Sequence, residues 1–246
     1  TGLTVGSTLI SGNKAGGNLF TLPEREYLFS REGFAFVAEF PFSDALKNTS
    51  AEEFLKELFA RIPARAVFCG EDFRFGKDAL GTPALLKVLA PCPVNVLPLL
   101  SDEGNKISVS GIKRLLSEGN VAAANLLLCG GFFWQGTVMH GRQVGRTYGF
   151  PTLNVRYPED KFPLRDGVYG GYAETPAGKF PAILNAGARP TFGLKEKMTE
   201  TFLKGFDGDL YGATVRIYPT EFLRPIQKFS SRAELESQLR RDIRRI

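Results

Sequence analysis

The sequence predicts two folded halves: an α/β layer, then a small antiparallel β-barrel closed by a terminal helix. Three observations predict this. Up to residue 130, apolar runs alternate with amphipathic helical patterns, as strand–helix–strand units do. From residue 131 the texture changes to short alternating segments separated by Gly and Pro, which suits antiparallel strands and excludes a helix bundle. Finally, Leu235, Leu239, Ile243 and Ile246 form one apolar stripe at helical spacing.

The opening TGLTVGSTLISGNKAGGN is small, polar and glycine-rich, and predicts a short strand at Leu3–Val5 running into a loop. Leu22-Pro23 leads into the helical pattern EREYLFSREG, closed by Gly33. FAFVAEF then reads as a buried strand, being apolar almost throughout. Ser50-Ala-Glu-Glu53 is a capping box, and Phe54, Leu55, Leu58 and Phe59 fall on one face of the helix it starts. Ala66–Cys69 reads as a second buried strand leading into GEDFRFG, so the layer is expected to hold a parallel sheet.

Gly130-Gly131 is the natural joint, giving expected domains of residues 1–130 and 131–246. Beyond it, FFWQGTV, GVYGGYAE, KFPAILNAG, TETFLKGF and ATVRIYPTEF are the strand candidates. Ser231-Arg-Ala-Glu234 is a second capping box, and its helix is expected to dock its apolar stripe on the barrel. Arg240, Arg241, Arg244 and Arg245 lie off that stripe on a solvated face, with Glu236 set to balance Arg240 at i,i+4.

Composition narrows the function. A chain of 246 residues with 43% hydrophobic content and 21 phenylalanines can bury a sizeable core. No apolar run approaches the roughly 20 residues of a membrane span. The chain begins at Thr1 without Met or a signal peptide, so a methionine or a longer N-terminal segment is expected to be missing. Cys69, Cys92 and Cys129 are odd in number and widely spaced, which points to free thiols in a reducing cytoplasm rather than disulfides or zinc. The net charge of +5 is uneven: residues 1–130 carry −1 and residues 131–246 carry +6. A basic second half suits a polyanionic ligand such as ATP, and would equally suit nucleic acid.

The stretch with the most chemistry is GTVMHGRQVGRTYGFPTLN, Gly136 to Asn154. Gly136, Gly141, Gly145 and Gly149 can turn backbone N–H groups towards an anion. Pro151 then presents the Thr152 hydroxyl and the Asn154 carboxamide, two residues apart and so on one face of an extended segment. Taken alone, these two would be a Thr and an Asn finishing a turn. The stretch is neither a Walker loop nor GxGxxG. The full run GxVxHGxxxGRxxGFPTxN resembles the ATP-binding flap and PTAN motif of riboflavin kinases, with Leu153 at the alanine position.

Four further blocks extend that resemblance over nearly all of the second half: LRDGVYGGY, ILNAGARPTFG, TETFLKGFDGDLYG and FLRPIQKFSSRAELESQLRRDI. It implies a six-stranded antiparallel Greek-key barrel with a C-terminal helix, and transfer of the ATP γ-phosphate to the riboflavin 5′-hydroxyl with Mg²⁺. It gives Thr152 and Asn154 as metal and phosphate ligands, and Gly141, Gly145, Arg146, Gly149 and Pro151 as their ATP-binding surroundings. Glu200, placed by the downstream FDGDLYG, matches the catalytic glutamate that takes the hydroxyl proton. Phe202 stands where the family often has His. Arg189 and Arg224 match flavin-side residues, and Arg142 and His140 lie in the flap. His140 is read as loop-stabilising and Asp207-Gly-Asp209 as a hairpin turn without metal. Trp134, Tyr148 and Phe150 offer rings for flavin stacking, although such rings are usually core.

The first half carries a second resemblance. FTLPEREYLF, TSAEEFLKEL, GEDFRFG and ISVSGIKRLLSEGNV resemble, in order, the FMN adenylyltransferase half of bacterial bifunctional flavin-nucleotide synthetases. The implied fold is a Rossmann-like nucleotidyltransferase domain. That family holds ATP phosphates with an HxGH motif, and this sequence has one histidine, His140. Its ISSTxIR motif reads ISVSGIK, with Val109, Ser110 and Lys113 in place of Ser, Thr and Arg. These departures lead to the expectation of a cytoplasmic riboflavin kinase with adenylyl transfer lost, and of GEDFRFG as a tight turn with Phe73 and Phe75 in the core. The alternatives are a bifunctional enzyme that also makes FAD, and a non-catalytic flavin- or nucleotide-binding regulator. A nucleic-acid partner rests only on charge, no membrane partner is indicated, and the sequence leaves oligomeric state open.

Overall fold

The computed structural model describes residues 2–8, 16–41, 43–102, 104–140, 150–187 and 198–246. The first half contains β1 (Gly2–Thr8), α1 (Leu22–Arg31), β2 (Phe34–Pro41), α2 (Asp44–Asn48), α3 (Ala51–Arg61), β3 (Val67–Gly70), α4 (Pro83–Leu89), β4 (Val94–Leu97), β5 (Ser101–Asp102) and β6 (Asn105–Lys106). Helices α5 (Val109–Glu118) and α6 (Val121–Leu126) follow. The remainder is β7 (Trp134–Met139), β8 (Thr152–Arg156), β9 (Gly167–Thr175), β10 (Gly178–Ala186), β11 (Met198–Leu203), β12 (Thr214–Arg224) and α7 (Arg232–Ile243). By contact these make two compact units, one of Thr1–Gly12 with Gly33–Ile107, the other of Asn13–Glu32 with Ser108–Ile246. Gly130 and Gly131, the expected joint, both have positive φ and lie inside the second unit.

In the first unit, β1 pairs with β2 and β3 with β4, both parallel. The Ser50 capping box forms in full: its hydroxyl accepts the Glu53 N–H at 3.1 Å and the Glu53 carboxylate accepts the Ser50 N–H at 3.4 Å. Helix α3 then buries Ala51 and Leu55 with Phe75 and Leu86, and Phe54, Leu58 and Phe59 pack around them. Gly76 closes GEDFRFG at φ +71°, where a Cβ would lie 2.7 Å from the Ala51 backbone, so only glycine fits.

Two expectations need correction here. The strands read as buried are not: Phe36 is 70% exposed and Phe68 66% exposed. An unbroken apolar run reports strand propensity on both faces and not what covers them: residues 34–36 of β2 are all exposed, and on β3 Phe68 is exposed while Val67 and Cys69 are half-buried. Of the two turn phenylalanines only Phe75 is buried; Phe73 is partly exposed and stacks on it at 5.4 Å.

The second unit is a closed barrel with strand order β10–β11–β8–β7–β12–β9, every pair antiparallel. β9, β10 and β11 are sequential neighbours and β12 returns beside β9, which is a Greek key. Alternation sorts the side chains. Thr199, Thr201 and Leu203 on β11, Val155 on β8 and Leu184 on β10 are buried in the interior, and the residues between them face outward. Gly136 lies in β7 rather than in a loop, opposite Val215 on β12, and a Cβ there would meet the Arg156 carbonyl oxygen on β8, so the position takes glycine.

Helix α1 closes one side of the barrel through a buried ion pair. Lys161 and Glu24 are fully buried at 2.6 Å; Lys161 also donates to the Leu19 carbonyl, and Glu24 accepts the N–H groups of Thr21 and Gln135. Helix α6 is tied to β12 and to Phe132 through the Asn125 carboxamide. Lys113, in place of the family's arginine, donates to the Gly17 carbonyl at 2.5 Å.

At the C-terminus Ser231 caps α7 by accepting the Glu234 N–H, and the apolar stripe is half-buried as expected. The reciprocal half of the capping box is absent from this cap, since the Glu234 carboxylate binds the N–H and hydroxyl of Ser230 instead. Glu236 pairs with Arg232 at 2.8 Å rather than serving Arg240.

Candidate functional site

Strand register assembles the site. Met139, Asn154, Glu200, Asn185, Val168 and Arg224 are successive cross-strand partners on β7, β8, β11, β10, β9 and β12. Directly opposed residues point to the same face, and neighbouring strands lie roughly 4.8 Å apart. Because Thr199 and Thr201 point inward, Glu200 between them points out, so this row lies on the outer face of the barrel. Asn154, Glu200 and Asn185 are each half-buried there.

Thr152, two residues before Asn154, opposes Phe202, two residues after Glu200. A hydroxyl, a carboxamide and a carboxylate drawn from two strands thus share one patch. Phe202 takes a packing role at the position where the resemblance expects His: its ring meets Phe150 edge-on at 5.9 Å, beside exposed Pro151. The Arg240 guanidinium of α7 stands over Phe150 at 5.7 Å, so that arginine is engaged with the segment leading into Thr152.

Arg224, expected on the flavin side, is half-buried and held by Asp242. Its Nε donates to both carboxylate oxygens at 3.3 and 3.0 Å, and its Nη2 donates to Oδ2 at 2.8 Å. Gln238 donates to the same carboxylate at 2.7 Å, which joins α7 to the end of the row. Trp134 is fully buried against Tyr157, so it is core rather than a stacking platform. His140 stacks on Tyr211 at 3.8 Å. Asp209 accepts the Tyr211 N–H at 2.8 Å within its turn. Gly141, Arg142, Gly145, Arg146, Tyr148, Gly149 and Arg189 lie outside the described residues.

Asn185 is the residue that sequence reasoning missed. It sits directly opposite Glu200, and its Oδ1 is buried without a hydrogen-bond partner among the described residues. The available signal was one polar side chain in the otherwise apolar run FPAILNA.

For a divalent cation, Thr152 and Asn154 offer hard oxygen donors on one face. Among the described residues there is no cluster of three His, Cys, Asp or Glu side chains. That donor set fits Mg²⁺, which takes few protein ligands when substrate phosphates supply the charge. Cys69, Cys92 and Cys129 are free thiols. No helix among the described residues is long and apolar enough to cross a membrane.

The closed Greek-key barrel is a riboflavin-kinase-type domain: the riboflavin kinase family model matches residues 129–246. The FAD synthetase family model matches residues 6–111. The chain belongs to the bifunctional riboflavin kinase/FMN adenylyltransferase family. It is 30% identical to the member from Escherichia coli K12, over 95% of this chain and 76% of that protein. It is 34% identical to the member from Buchnera aphidicola of Acyrthosiphon pisum, over 82% of this chain and 66% of that protein. The chain therefore spans about two thirds of the length of such relatives. A crystal structure described as a macrolide-efflux protein from Streptococcus pneumoniae superposes with a TM-score of 0.85 at 29% identity, covering 98% of this chain and 82% of that one.

Proposed function

We propose that residues 131–246 form a riboflavin kinase converting riboflavin and ATP to FMN and ADP. The observation that carries this is the register setting Glu200 directly beside Asn154, with Thr152 on the same face. Phosphorylating a primary alcohol needs a group to take the hydroxyl proton and donors to hold the phosphates in line. Glu200 orients the riboflavin 5′-hydroxyl and accepts its proton as the oxygen attacks the γ-phosphorus. Thr152 and Asn154 would hold Mg²⁺ bound to ATP, and that ion supplies neutralisation of phosphate charge. Gly141, Gly145, Arg146, Gly149 and Pro151 serve as the phosphate cradle, and Arg189 and Arg224 serve the flavin side. Small molecules are the partners, and the cytoplasm is the compartment.

Incubation with riboflavin, ATP and Mg²⁺, followed by chromatography of the flavins, tests the proposal. FMN is the expected product; a folded sample that binds riboflavin and makes none would favour the regulator reading instead. Asn154→Ala is expected to raise the Mg²⁺ concentration giving half-maximal rate by about tenfold, as loss of a metal-site partner commonly does. An unchanged Mg²⁺ requirement would remove Asn154 from the metal site.

For residues 1–130, the FAD synthetase match and the bifunctional relatives favour adenylyl transfer over its expected loss. The proposal is therefore a bifunctional kinase and FMN adenylyltransferase, and FAD in the same chromatogram is the outcome that supports it. FMN without FAD would return the first half to a kinase-only reading.

A further inference from the structure

The outer row of the barrel changes chemistry in a definite order. Asn154 is polar and next to Thr152, Glu200 is anionic, Asn185 is polar, and Val168 is apolar and nearly buried. Riboflavin changes character in the same order when its 5′-hydroxyl is at Glu200: a phosphate-accepting hydroxyl, then a polyol chain over Asn185. With strands roughly 4.8 Å apart, Asn185 lies one strand further along the row than the general base. That is the reach of the neighbouring hydroxyls of a chain whose end is held at Glu200.

Asn185 also carries an unanswered polar atom. More than nine in ten buried polar groups have a hydrogen-bond partner, because a buried group left without one forfeits its hydration uncompensated. Its Oδ1 is buried and has no partner among the described residues, although the strand could have held an apolar side chain at the same place. An orphaned acceptor beside the base is accounted for when a substrate hydroxyl completes it.

We infer that Asn185 is a specificity residue of the kinase site, accepting a hydrogen bond from a secondary hydroxyl of the ribityl chain. This rests on the riboflavin kinase reading. The carboxamide anchors the polyol one strand from Glu200 and so fixes the 5′-oxygen against that carboxylate. It also makes the site selective for flavins bearing a hydroxylated chain.

The test compares riboflavin with its 10-(5-hydroxypentyl) analogue, which keeps the ring, the chain length and the terminal hydroxyl but lacks the secondary hydroxyls. Asn185→Ala is expected to lower kcat/KM on riboflavin by about tenfold, the worth of a hydrogen bond in a desolvated site, and to leave the analogue nearly unaffected. KM for ATP should not move. Asn185→Ser keeps a short acceptor, is expected to restore part of the preference, and carries the test if the alanine variant fails to fold. Equal losses on both flavins would make Asn185 a scaffold residue and overturn the inference, as would no loss on riboflavin. Wild-type protein that turns over neither flavin would instead overturn the kinase reading on which the inference stands.

Discussion

Glu200→Gln is expected to lower kcat for riboflavin phosphorylation by about 10²–10⁴-fold, the usual contribution of a positioned general base. Glutamine keeps the size of the side chain and its place between Asn154 and Asn185, and it can still hydrogen-bond the 5′-hydroxyl. It cannot take the proton. KM for riboflavin should therefore change little, and so should the melting temperature, because Glu200 lies on the half-buried outer face rather than in the core. A variant that keeps its kcat would show that the proton leaves by another route.

The second large effect is on stability. Glu24→Ala is expected to cost about 3–5 kcal/mol, the usual penalty for stranding one member of a buried ion pair. Three donors lose their acceptor at once: the Lys161 ammonium and the N–H groups of Thr21 and Gln135. Lys161 is left with the Leu19 carbonyl and the rings of Phe132, Phe20 and Phe133, at 4.4, 4.8 and 5.7 Å. Burial already pulls the Lys161 pKa down to about 8, against the opposing attraction of Glu24. Since the folded value lies below the ordinary 10.5, the unfolded chain binds more protons between the two. Stability from this group is complete above about 10.5 and is lost as pH falls towards 8. Lys161→Met should cost less than Glu24→Ala, because a thioether suits the ring cluster and Glu24 keeps two backbone donors. Thermal melts compare these variants with Glu236→Ala on the surface of α7. A Glu24→Ala protein as stable as that control would show that the pair does not hold α1 to the barrel.

Much of the fold was legible because local patterns carried it. The turn spacing beyond Gly131 specified short antiparallel strands, and the Ser50 box specified the start of α3. Motif spacing likewise put Thr152 and Asn154 on one face. Periodicity was weaker where burial had to be judged: FAFVAEF and Ala66–Cys69 form strands, yet Phe36 and Phe68 are exposed, because an apolar run cannot report what covers it.

Capping and charge patterns were also local guesses that neighbours revised. Glu234 turned to Ser230 and Glu236 to Arg232, each a rotamer choice among several partners within one helical turn. Glu24 and Lys161, 137 residues apart, had no signal in sequence at all.

The sequence by itself determined the α/β and barrel classes and the terminal helix, since each follows from spacing within a few residues; the candidate site residues came from the family resemblance, and the joint expected at Gly130-Gly131 falls inside the second unit. Only the tertiary structure decided that Asn154, Glu200 and Asn185 stand abreast, that Arg224 is gripped by Asp242, and that Trp134 is core. Those facts depend on which strands pair and in what register, and pairing between distant segments is set by closing the whole barrel around one core rather than by any local pattern.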